Sequence, residues 1–214
     1  LYMSQILEPL DKLENEETWA IEAGYTGQIN KELAVQGNIY YQRFSKLIGF
    51  NDYSNPLGFG QLIKRPKNMD GADSYGAELE AKYKTDKWML KGWYAYNAFT
   101  VDSTGRDIRS YPPATHKMGL TGRVFLPQDW TLNANYRYRT ATSSNHLVTT
   151  SDGPSSHRVD LGVSKAIGSE GNGEIMFGVS DLFHRNVQGV QGVDQAGGHD
   201  TPGRTFFIRL QWKF

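Results

Sequence analysis

Apolar and polar positions alternate with a period of two along most of this chain, and almost no stretch sustains the 3.6-residue period of a helix. The last segment is the clearest. Phe206, Ile208, Leu210, Trp212 and Phe214 share one face, while Thr205, Arg209, Gln211 and Lys213 share the other, with Phe207 the exception. The same division sets Trp130, Leu132, Ala134, Tyr136 and Tyr138 against Asn133, Asn135, Arg137 and Arg139. It also sets Tyr75, Ala77, Leu79, Ala81 and Tyr83 against Glu78, Glu80, Lys82 and Lys84. Further apolar stripes run through Trp19, Ile21, Ala23 and Tyr25, through Leu33, Val35, Ile39 and Tyr41, and through Leu90, Tyr94 and Tyr96. Glu22, Gln36, Asn38, Lys91 and Asn97 stand opposite them. Weaker segments pass through Met118, Leu120 and Val124, through Val159, Leu161 and Val163, and through Ile175, Phe177 and Val179. Together they predict about nine strands.

Aromatic residues close the apolar stripes at both ends, as Trp19 with Tyr25, Tyr75 with Tyr83 and Trp130 with Tyr138 show. Tyr and Trp combine an apolar ring with a polar handle and favour the headgroup level of a bilayer. A tilted strand of about ten residues spans an apolar band roughly 25 Å tall, so the segment lengths suit a membrane crossing. The connections alternate between short ones near residues 28–32, 85–87, 127–129 and 168–173 and long ones over roughly 45–74, 99–116, 141–157 and 184–203. Outer-membrane barrels have short periplasmic turns and long extracellular loops. The last strand is therefore expected to descend, with Phe214 at the periplasmic side, and the first clear strand descends too.

Composition narrows the function classes. Lys plus Arg and Asp plus Glu both number 23, so no net field favours a nucleic-acid partner. The absence of cysteine excludes a disulfide framework, a thiolate metal site and a Cys nucleophile. Mean hydropathy is −0.56, which would suit a soluble protein, and no apolar run reaches the roughly 18 residues of a transmembrane helix. Alternating strands average to a polar sequence, so a barrel is untouched by that argument. A soluble β-sandwich would also alternate, but its buried face would seldom carry Tyr and Trp at both strand ends. Charged residues facing lipid cost up to about 2–4 kcal/mol each near the midplane, and the apolar stripes almost avoid them. The fold class is therefore all-β, an antiparallel up-and-down transmembrane β-barrel. The opening at Leu1 has neither a charged n-region nor an apolar h-region, so a secretion signal is expected upstream.

Several stretches, in order, resemble the barrel of TonB-dependent outer-membrane receptors. They are LENEETWAIEAGYTGQI, LAVQGNIYYQRFSKLI, SYGAELEAKYKTDKWMLKGWYAYN, PPATHKMGLTGRVFLPQDWTLNANYRYR, HRVDLGVSK and FGVSDLFHRN before GRTFFIRLQWKF. The resemblance implies that residues 1–214 form the carboxy-terminal part of a barrel of about 22 strands. The plug domain, the TonB-contacting box and the amino-terminal strands lie outside this chain, and residues 1–13 are what remains of a strand end and an extracellular loop. Nine strands alone would leave two unpaired edges, which lipid does not tolerate. The resemblance further implies uptake of a scarce large solute, such as a ferric siderophore, energised through the TonB complex. Its partners would be outer-membrane lipid, the plug and remaining strands, and the barrel-assembly machinery. The last stripe, Phe206, Ile208, Leu210, Trp212 and Phe214, resembles the signal that this machinery reads. A small passive pore or structural barrel without a plug is the alternative, and a barrel enzyme with a Ser, His and acid set at one rim is a third.

No phosphate loop, HExxH or spaced metal-ligand set is present, so neither a catalytic site, nor a metal site, nor a cofactor is expected. Glu78 and Glu80 read as solvated wall charges beside Lys82 and Lys84, because period two puts all four on one face. Arg137 and Arg139 share a lumen face where two guanidiniums could attract an anionic chelate, or could pair with carboxylates of the plug or wall. His116, His146, His157, His184 and His199 fall in or beside the long loops, without metal-site spacing. Phe50, Tyr53 and Phe59 in the longest loop could stack on a planar ligand or staple the loop.

Overall fold

A computed structural model describes residues 6–7, 13–54, 62–68, 71–102, 114–142, 154–168, 172–183 and 203–213. Among these residues twelve strands run in chain order: β1 (Ile6–Leu7), β2 (Glu17–Gln28), β3 (Leu33–Ser45), β4 (Ile48–Ser54), β5 (Leu62–Asn68), β6 (Ala72–Lys84), β7 (Trp88–Val101), β8 (His116–Leu126), β9 (Trp130–Arg139), β10 (Ser156–Ile167), β11 (Gly173–Ser180) and β12 (Thr205–Trp212). Nine of them form one sheet in the order β12-β11-β10-β9-β8-β7-β6-β3-β2, in which every neighbour pair is antiparallel. Strands β2 and β12 are its two edges, so the sheet is open along both sides.

The short connections are built from local side-chain chemistry. Asn30 Oδ1 accepts the backbone N–H groups of Glu32 and Leu33 at 2.9 and 2.8 Å, which closes the β2–β3 turn. Thr85 Oγ1 accepts the N–H groups of Lys87 and Trp88 at 3.3 and 3.1 Å and closes the β6–β7 turn in the same way. Between β8 and β9, a 3-10 turn over Pro127–Asp129 places Gln128 and Asp129 at φ 59° and 62°. These tight reversals fix register, and register decides which side chains share a face.

The register brings every apolar stripe to the same side. Ile21 faces Tyr41, Tyr41 faces Tyr75, Leu79 faces Tyr94, and Tyr94 faces Met118. Leu120 then faces Tyr136, Val163 faces Leu132 and Phe177, and Phe177 faces Ile208. This outward face remains uncovered, with Ile21 65%, Leu79 59%, Ile208 69% and Phe206 77% exposed. Among the described residues, the buried apolar set is Ala72 and Ala114 alone, so no conventional core holds this sheet together. An apolar face this continuous needs an apolar solvent.

Two features depart from the alternation. The long connection expected over residues 45–74 is partly strand, because β4 and β5 prolong the β3–β6 hairpin from Ile48↔Asn68 outward, and β1 pairs with β5 in parallel. Its alternation is interrupted where Lys46 takes φ 56°, which hid the continuation. Phe207 faces inward, where its ring lies over Gly178: a Cβ there would clash with the Phe207 ring. Trp93 lies over Gly119 in the same way, with its indole where a Cβ would sit. Some of the glycine in this chain therefore makes room for inward rings in mid-strand rather than for turns.

Candidate functional site

The inward face divides laterally into two walls. On β2, β3 and β6, Glu22, Gln36, Asn38, Glu78 and Glu80 stand together, with Asn38 opposite Glu78 and Gln36 opposite Glu80. Glu80 pairs with Lys91 of β7 at 2.7 Å, so the carboxylates read as wall charges are in part neutralised across the sheet. Behind them Asn97 Nδ2 donates to Ser74 Oγ at 3.2 Å and to the Tyr40 hydroxyl at 2.5 Å.

The second wall is basic. On β8, β9 and β10 the register sets Lys117 opposite Arg139 and Arg137 opposite Arg158. Like charges directly opposite each other repel, so such an arrangement needs a counter-charge or solvent. Asp160, two residues along β10 on the same face, supplies one. It accepts Arg137 Nη2 and Arg158 Nε, each at 2.8 Å. Arg139 instead donates to Ser156 Oγ at 2.9 Å, and Lys117 has no carboxylate partner among the described residues. Four cations, Lys117, Arg137, Arg139 and Arg158, thus line a shallow depression with Trp93, Tyr138 and Ser156; Asp160 pairs with two of them beside it, and Lys117 also borders the neighbouring depression lined by Glu78 and Glu80.

The two expected arginines are therefore brought together, and one of them, Arg137, has the wall carboxylate that the sequence allowed. Arg158, Lys117 and Asp160 were missed. Parity could have found them, since Arg158 and Asp160 alternate with Val159 and Leu161, and Lys117 precedes Met118. Tyr53 lies on β4, but its side chain is outside the described residues, as is that of Phe50; Phe59 and Phe214 are outside them altogether. Phe206, Ile208, Leu210 and Trp212 line the outward face of edge strand β12, opposite Val179, Phe177, Ile175 and Gly173.

Of the histidines, His146, His184 and His199 lie outside the described residues. His116 opens β8 and His157 is the second residue of β10, beside the long connections rather than within them, and both lie on the outward face with Tyr96 and Tyr138 opposite them. Each is held by a tyrosine hydroxyl at its Nδ1, Tyr94 at 2.7 Å and Tyr136 at 2.8 Å. They belong to the aromatic rim at the long-connection end. On the same rim Arg43 pairs with Asp73 at 2.8 Å and with Asp102, whose carboxyl the guanidinium holds below the usual range. At the opposite end, Lys165 reaches over the Trp130 ring at 5.1 Å, and Tyr83 stacks on Trp88 with centroids 5.1 Å apart. Two polar and aromatic rims bound an apolar band, as a bilayer demands. Among the described residues no group of three or more His, Asp and Glu could hold a metal ion.

A family model described as the outer membrane protein beta-barrel family matches residues 11–205. The chain belongs to that family. As a member of the outer membrane protein β-barrel family it resides in the outer membrane of a Gram-negative cell, and the exposed stripes face lipid. Solved barrels share its architecture. The copper transporter OprC superposes with a TM-score of 0.74 at 19% identity, covering 95% of this chain and 32% of that one. The FrpB iron transporter of Neisseria meningitidis gives 0.75 at 13%, covering 98% and 32%. The ferric-catecholate import receptor Fiu from E. coli K12 gives 0.71 at 16%, covering 94% and 28%. The chain spans roughly a third of the length of these structures, and at such identities the likeness is one of fold. These neighbours are transporters and receptors. No curated protein sequence matches the chain.

Proposed function

We propose that this chain supplies the carboxy-terminal strands of an energised outer-membrane receptor that imports a scarce, anionic metal chelate, such as a ferric siderophore. The observation that carries the reading is the basic inward wall, on which Lys117, Arg137, Arg139 and Arg158 stand together while Asp160 pairs with two of them. Charge-assisted hydrogen bonds from guanidinium groups are strong and geometrically selective for carboxylates and catecholate-type oxygens. A wall that keeps several such donors open in the lumen suits capture of a multivalent anion. The fold shared with the iron and copper transporters supports transport, and a ferric-catecholate import receptor among them supports the chelate class.

In this reading the open edges β2 and β12 are completed by strands encoded upstream, and a plug fills the lumen and meets the TonB complex. The outward stripe of Phe206, Ile208, Leu210 and Trp212, with Phe214 after it in the sequence, guides insertion by the barrel-assembly machinery. Tyr53 and Phe59 contribute stacking surface at the mouth. The test is uptake by cells expressing the intact gene under iron limitation, supplied with radiolabelled iron(III) as a catecholate chelate, a hydroxamate chelate or citrate. Uptake of one chelate that requires TonB and falls at least about tenfold in an R137Q/R139Q variant is the expected result. TonB-independent passage of small neutral sugars, unaffected by those substitutions, would contradict it and indicate a passive pore.

A further inference from the structure

Asp160 does more than neutralise. Its Oδ1 accepts Arg158 Nε at 2.8 Å, Ser180 Oγ at 3.0 Å and the backbone N–H of Asp181 at 2.9 Å, while Oδ2 accepts Arg137 Nη2 at 2.8 Å. Asn135 Nδ2 approaches Oδ2 at 3.4 Å. Ser180 ends β11, and Asp181 turns the chain away with φ 54°, so this carboxylate is anchored by the backbone of a third strand end. Arg158 also donates to Ser180 Oγ. A carboxylate offers about four lone-pair positions, and all are occupied here. Apart from the two arginines, Asp160 is held by Ser180 Oγ and the Asp181 N–H on Oδ1, which ties it to the end of β11.

Arg137 and Arg158 stand directly opposite each other on β9 and β10. Without a shared anion their guanidiniums would repel and sample separate rotamers, and each would lose entropy on meeting a ligand. Bound to one anchored carboxylate, they lie side by side, each with further N–H donors not used by Asp160. We propose that Asp160 is a positioning residue that converts Arg137 and Arg158 into one preorganised clamp for a multivalent anion. The inference rests on the reading of this wall as an anion site, and it goes against net charge: removing the negative carboxylate weakens anion binding.

Inorganic pyrophosphate, titrated calorimetrically into the purified full-length protein, is a probe that needs no knowledge of the chelate. Wild type is expected to bind it, D160N to bind about tenfold more weakly despite one more net positive charge, and D160E to weaken similarly with charge unchanged. In an R137Q background D160N is expected to add at most about twofold, because the two residues act as one unit. Retained heat-dependent gel mobility verifies that each variant is a folded barrel, and D160E carries the test if D160N does not insert. Binding by D160N as tight as wild type or tighter overturns the clamp and leaves the anion wall standing. An equal loss in the R137Q background also overturns it, by making Asp160 merely structural. If wild type fails to bind pyrophosphate, both the clamp and the anion wall fall.

Discussion

The two faces of this sheet are built on the same nine strands, one residue apart, and they solve opposite problems. Outward, polar atoms are banished to the rims and tied up there: Arg43 with Asp73 and Asp102, His116 and His157 with tyrosine hydroxyls, Lys165 against Trp130. Inward, charges stand in mid-strand, and the wall on β8 to β10 leaves cations in excess. Lipid tolerates no unpaired polar group, whereas a wet lumen does, so only the inward face is free to carry chemistry. Function is thereby confined to the inward face.

The strongest way to break it is to place a charge on the wrong side. Leu79→Arg in the middle of β6 should destabilise the intact barrel by about 2–4 kcal/mol, while Glu78→Arg, one residue away and inward, should stay within about 0.5 kcal/mol. Urea titration of folding into lipid vesicles reads both. Next in size is the inward ring packing. Gly119→Val would drive a side chain into Trp93 and should cost about 1–3 kcal/mol by the same titration, with Trp93→Ala in the same chain restoring part of it. At the outward rim the penalty fades: Lys165→Glu should cost no more than about 1 kcal/mol, because the group lies at the interface rather than the midplane.

The smallest effect belongs to the loop end. Glu14 and Glu17 pair with Lys46 at 2.8 and 2.7 Å, and Lys46 holds the Glu14 carboxyl below its ordinary value. A depressed carboxylate contributes stability above its unfolded pKa and loses it as pH falls through the folded one. Wild type and Glu14→Gln should therefore differ slightly at neutral pH and converge below about pH 4, read as the urea midpoint.

Much of this was legible in the sequence because period two is a local property. The stripes on β6, β9 and β12, the alternation of short and long connections, and the inward placing of Arg137 and Arg139 needed no knowledge of neighbours. What sequence withheld was lateral. That Lys117 lies level with Arg139, and Arg158 with Arg137, depends on register set by turns such as Pro127–Asp129, where parity fixes the face but not the height. Asp160 and the Ser180–Asp181 turn meet only after two hairpins are closed. His116 and His157 were read with the loops because they sit at strand ends, although their parity matches Met118 and Val159 on the lipid side. The glycines under Trp93 and Phe207 carry no local signature, since a glycine beneath a ring and a glycine in a turn look alike in sequence.

The division into a lipid face and a wet face is the claim on which the rest depends, and β9 tests it most directly. These 214 residues contain no cysteine, so single cysteines introduced from Leu132 to Tyr138 in the intact protein, with any cysteine elsewhere in it replaced by serine, can be spin-labelled in a bilayer. Collision rates with oxygen, which concentrates in lipid, and with a neutral nickel chelate, which stays in water, should alternate out of phase. Oxygen should peak at 132, 134, 136 and 138, and nickel at 133, 135 and 137. If both reagents instead rise and fall together, the outward face is not in contact with lipid, and the barrel account is wrong.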